Sequence, residues 1–64
     1  MNGTVEEFDD AAGYGWIAAD GGERVFFHCT QIGDGSRTIP PGTAVSFDRM
    51  PYLGRYEATV VTAR

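Results

Sequence analysis

Tyr14, Trp16, Phe26 and His28 fall two residues apart within two short segments, Tyr14 to Ala19 and Arg24 to His28, and each carries a flat π-face. Side chains two apart on an extended chain share a face. If the segments pair as antiparallel strands, the four rings meet as one platform. An unpaired nucleobase is a fitting partner for such a surface, because every base has a π-face and each stack is worth about 1–3 kcal/mol. Gly13 and Gly15 interleave with the rings, leave them accessible and let the strand curve. Two other readings stay open: rings packed under a loop, or rings filling a dimer interface.

Other chemistry is poorly supplied. Asp9-Asp10 is the only adjacent aspartate pair, but neighbouring strand-end residues point apart and no cleft for acid–base catalysis is evident. His28 beside Cys29 has only the composition of a base and a nucleophile, since consecutive strand residues face opposite sides. A buried or half-buried structural thiol is the better reading of Cys29. One Cys and one His cannot build a structural zinc site, a lone Cys cannot form an internal disulfide, and no glycine-rich phosphate loop is present. The sequence therefore predicts a binding module with no catalytic residue, no metal ligand, no cofactor and no small-molecule substrate.

Short segments bounded by Gly, Pro and Asp are the pattern of an all-β barrel or sandwich, and no helical stripe runs over 11 residues. Strands are predicted at Gly3 to Phe8, Tyr14 to Ala19, Arg24 to His28, Ala44 to Arg49 and Tyr56 to Val61. Asp20-Gly21-Gly22-Glu23 reads as a hairpin loop and Pro40-Pro41-Gly42 as a turn. Cys29 to Ile32 suits one 3₁₀ turn, Gly33 to Ser36 a loop, and Pro51-Tyr52-Leu53-Gly54 the last connection. Period-two alternation turns Ile17, Val25 and Phe27 inward with Val5, Ile32, Ile39, Val45, Phe47, Ala58 and Val60. It leaves Phe26 and His28 outside with Tyr14 and Trp16. A single domain over residues 1–64 follows, with a core small enough that stability is marginal.

Charge points the other way from a polyanionic partner. The formal net charge is −4, Lys is absent, and the five Arg stand at 24, 37, 49, 55 and 64. Glu6, Glu7, Asp9, Asp10, Asp20 and Glu23 fill the first 23 residues without one Lys, Arg or His among them. Phosphate binding normally leaves a basic footprint, so most of these acids read as solubilising surface. No apolar stretch approaches a membrane span and Met1-Asn2-Gly3-Thr4 lacks the start of a signal peptide. A soluble, cytoplasmic protein with no membrane partner is the expectation.

Gly3-Thr4-Val5 followed by Phe8, then Gly13-Tyr14-Gly15-Trp16-Ile17, then Val25-Phe26-Phe27-His28 resembles the cold-shock domain, with its two ribonucleoprotein-type motifs in order. Thr30, Ile32, Thr38-Ile39, Gly42, Val45-Ser46-Phe47 and Gly54 extend the resemblance over essentially the whole chain. It implies a five-stranded antiparallel OB-like β-barrel that binds single-stranded RNA or DNA as an RNA chaperone or a transcriptional or post-transcriptional regulator. The family's stacking positions fall on Phe8, Tyr14, Trp16, Phe26 and His28, and Arg55 with Tyr56 sits near a stretch that contributes contacts in relatives.

Departures from the family pattern predict weaker binding. Glu6-Glu7 stands where the family typically has Lys-Trp, Ala12 where a Lys usually precedes the first motif, and Cys29 where an aromatic often follows the His. The Gly33 to Ser36 loop is short, with Ser36 near a usual Phe. Losing one stack predicts about a tenfold affinity loss. Arg24, Arg37 and Arg55 either rim the platform and restore part of it or serve solubility. Tyr52 is either a loop-tip contact or cover for the barrel end. The same acidification supports an alternative partner, in which the aromatic face meets a protein or a second copy as a homodimer.

Overall fold

β1 (Asn2–Asp9), β2 (Tyr14–Ala19) and β3 (Arg24–His28) form an antiparallel meander, and β4 (Ala44–Tyr52) and β5 (Arg55–Ala63) form a second hairpin. The structure is a computed structural model that describes every residue except Asp34 and Ser36, and every described side chain except that of Tyr52. The predicted loop from Gly33 to Ser36 thus falls partly outside the described residues. One 3₁₀ turn, Cys29–Gln31, follows β3. No helix among the described residues is long and apolar enough to cross a membrane.

The strands close in the order β1-β2-β3-β5-β4, with β4 returning to β1 through Asn2↔Ser46, Gly3↔Val45 and Thr4↔Ala44. The fully antiparallel barrel expected from the sequence is corrected here. Strand directions can alternate around a closed ring only when the number of strands is even, so five strands force one parallel seam. It lies between β3 and β5, where Phe26 pairs Glu57, and a parallel bridge between Ile32 and Val61 continues it.

The core holds Val5, Ile17, Val25, Phe27, Ile32, Ile39, Val45, Phe47 and Ala58, with Ala19 and Val61 in addition. Val60 is not part of it. Ser46 pairs Thr62 and Asp48 pairs Thr59, so Val60 and Val61 together oppose Phe47 in a β-bulge. Val60 adopts φ 52 and is 59% exposed, whereas Val61 takes the inward place and is fully buried. The freed Val60 N–H donates to Gln31 Oε1 at 3.3 Å.

A second bulge shapes β1. Val5 pairs Ile17 and Glu7 pairs Trp16, so Glu6 and Glu7 both stand against Trp16. The extra residue resets the alternation and turns Phe8 toward the core, where its ring stacks on Phe27 at 5.6 Å and 20°. Gly15 makes that packing possible. A Cβ there would lie 2.9 Å from Phe8 Cδ1 and 3.0 Å from Phe8 Cα.

β4 runs past its predicted end at Arg49 and takes Met50, Pro51 and Tyr52 into the ladder. Proline is tolerated where a strand is an edge, and β1 pairs β4 only between Ala44 and Ser46. The connection shrinks to Leu53-Gly54, with φ 49 and 83, between the paired residues Tyr52 and Arg55. Two positive φ values in a two-residue hairpin loop make a type I′ turn, whose twist matches the flanking strands.

Candidate nucleic-acid interface

Cross-strand register assembles the outer face. Tyr14 pairs His28, Trp16 pairs Phe26, Phe26 pairs Glu57 and Glu57 pairs Met50. Directly opposed residues share a face, so one row runs Trp16, Phe26, Glu57, Met50 across four strands. Phe26 sits at its centre, with Tyr14 at 5.3 Å and 32°, Trp16 at 5.3 Å and 75°, and His28 at 4.9 Å and 85°. Edge-to-face and tilted contacts of this kind satisfy the ring quadrupoles.

The rings are not equally available. Tyr14 is 39% exposed and the His28 side chain 54%, and Trp16 is half-buried. Phe26 is only 8% exposed, because its three neighbours surround it and the Arg55 guanidinium lies 4.7 Å above its ring. It lies outside the inner core cluster, so it occupies the expected side of the sheet but forms the floor of the platform, not an open stacking surface. Phe8 is half-buried against Phe27 and presents what remains to an open groove of about 550 Å³, shared with Tyr14, Trp16, Glu7, Asp9 and Asp10. Tyr56 does not join the platform. It pairs Pro51, one register step from the outer-face row, and takes the Arg49 guanidinium at 4.2 Å.

A 'Cold-shock' DNA-binding domain model matches residues 1–64. The chain belongs to the cold-shock domain family. That family binds single-stranded nucleic acid and is not enzymatic. This cold-shock domain is similar to the cold shock protein CspD of Bacillus subtilis, at 44% identity over 49 residues, 75% of this chain and 74% of that protein. It is similar also to the cold shock-like protein CspA of Stigmatella aurantiaca, at 50% over 48 residues, 72% and 71% of the two chains. Among solved structures it resembles drosophila Unr CSD456, with a TM-score of 0.77 and 26% identity, over 98% of this chain and 26% of that one.

Cations on this cold-shock domain are spent largely on its own groups. Arg24 lies over the Trp16 ring at 4.7 Å, while its Nε donates to Glu6 Oε1 at 2.6 Å and its Nη2 stands 3.5 Å from Glu7 Oε1. The β1 bulge explains why both carboxylates reach one guanidinium. Strict alternation would have sent them to opposite faces. Arg49 pairs with Glu23 as well as stacking on Tyr56. Arg37 makes no ring contact or ion pair among the described residues. Cys29, the first residue of the 3₁₀ turn, is half-buried against the core, whereas His28 before it is exposed.

Three participants were not legible as such in the sequence. Met50 belongs to the outer-face row, hidden because the strand was expected to stop at Arg49. Glu57 stands beside the platform, its Oε1 3.9 Å from His28 Nε2. Arg24 was recognised as a possible rim cation, but its double carboxylate tether depends on a bulge that no residue announces.

Proposed function

We propose that this cold-shock domain binds single-stranded RNA or DNA across the outer face of β2 and β3, acting as an RNA chaperone or a transcriptional or post-transcriptional regulator in the cytoplasm. The 64 residues act as one domain. The observation that carries this reading is the ring cluster in which Tyr14, Trp16 and His28 remain accessible around a fixed Phe26. Bases stack on Tyr14, Trp16 and His28, and Phe8 offers its free edge at the neighbouring groove. Phe26 holds the others in place. Arg55, seated over Phe26, stacks on a base or meets a phosphate. Tyr56 supports Arg49 beside that path.

Acidity tunes the strength. Glu6 and Glu7 occupy Arg24 and add negative charge at the platform edge, so binding is weaker than family members with a cation there would show, and less dependent on salt. Trp16 is the only Trp and lies on the platform. Its fluorescence is expected to be quenched by a pyrimidine-rich single strand and hardly by the matching duplex. No quenching at high micromolar oligonucleotide and low salt would refute the assignment and favour the aromatic face as a protein contact.

A further inference from the structure

We propose that the β4–β5 hairpin tip is a strand-separating wedge, Leu53 entering between base pairs at the end of a nucleic-acid stem while the neighbouring rings take up the freed strand. The proposal rests on the single-strand reading above and deepens it, assigning the stem opening that an RNA chaperone performs to a residue that reading does not use. Leu53 serves neither the core nor its turn. It is 88% exposed, more than any other large apolar side chain described, and its backbone sits at φ 49. Type I′ turns favour Asn, Asp or Gly at that position, since a Cβ is crowded at positive φ. Residues held at such angles cluster at functional sites, and Leu53, unlike Val60 in its bulge, has no core neighbour among the described residues to place it there.

The tip is narrow and firmly mounted. Tyr52↔Arg55, Pro51↔Tyr56 and Met50↔Glu57 pair in unbroken register directly behind it. Leu, Met and Pro are among the side chains that unstack base steps when pressed between them, and Met50 is also more than half exposed. Charge selects the same end of the molecule for a polyanion. The first 23 residues carry six acids and no Lys, Arg or His, whereas Arg55 flanks the tip, held flat on the Phe26 ring; Arg49, on the Tyr56 ring nearby, is already tied to Glu23. No carboxylate pairs with Arg55 among the described residues. Continuity identifies the occupant as nucleic acid: Arg55 covers Phe26, and Met50 lies in the row that ends at Trp16. A strand peeled away at Leu53 meets the platform next.

The test compares the whole protein with Leu53→Asn and Leu53→Met, using a fluorophore–quencher stem-loop and a single strand of the same loop sequence. Asn suits the turn, so the variant keeps its fold, which a thermal melt verifies. Capture of single strands alone opens a stem by mass action in proportion to single-strand affinity, so rates are compared at equal single-strand occupancy. The expectation is stem opening by the natural chain and by Leu53→Met, and opening at least about fivefold slower with Leu53→Asn, the scale of one lost stacking contact. Equal opening by Leu53→Asn, or no opening by a natural chain that binds the single strand, overturns the wedge and leaves the single-strand reading standing. Failure of the natural chain to bind the single strand overturns both. Self-association that Leu53→Asn abolishes, with opening unchanged, would assign the tip to a second copy instead.

Discussion

Arg24 makes three contacts at once, to the face of Trp16 and to the carboxylates of Glu6 and Glu7. Each ion pair is exposed and worth at most about 1 kcal/mol, so the tether is not a large stabiliser. Its effect is on availability: a guanidinium that would meet phosphate is matched by two negative charges beside the one Trp. Replacing Glu6 and Glu7 together with Gln frees it while keeping side-chain size. Single-strand affinity should then rise by about threefold to tenfold at low salt, and the slope of log affinity against log salt should steepen by about 0.7, the signature of one more phosphate neutralised. Fluorescence titration over a salt series measures both. Unchanged affinity and slope would mean that the tether does not set binding strength.

Bulges decide which side chains each strand offers. In β1 the bulge at Glu6 and Glu7 brings two acids to one place and sends Phe8 inward; in β5 the bulge at Val60 and Val61 exchanges which valine is buried. Val60→Ala should change stability by less than about 0.5 kcal/mol, as a substitution in solvent does, and Val60→Gly should gain up to about 1 kcal/mol by relieving the left-handed backbone. Val61→Ala should lose about 2 kcal/mol, from two buried carbons and the cavity they leave. Urea unfolding compares the three, and equal losses at both valines would contradict the bulge. β2 and β3 were legible to the residue because unbroken alternation runs on either side of a clear Gly21-Gly22 turn. Val60 was not, because two adjacent valines carry no mark of which one the bulge turns outward. The end of β4 was hidden by Pro51, which breaks a central strand but not an edge.

At the scale of the whole molecule, ring closure sets what the strands can do for one another. Five strands need a parallel seam, and that seam places β5 beside β3, so that Arg55 reaches Phe26 from a strand distant in sequence. The aromatic platform was readable from spacing alone; the covering of its central ring was not, since it depends on a partner across the seam. The same arrangement carries the platform onto the hairpin that holds Met50 and Leu53, while the acidic residues gather in the first 23 positions. The net charge of −4 therefore lowers long-range attraction for nucleic acid without removing the stacking surface. Mapping amide and aromatic NMR shifts over the whole chain during titration with a pyrimidine-rich single strand at low salt tests that division most directly. The largest changes should fall on Tyr14, Trp16, Phe26, His28 and Arg55, with Thr4, Ala44 and Ser46 at the β1–β4 seam unmoved. Changes centred on that seam, or none at saturating oligonucleotide, would contradict it.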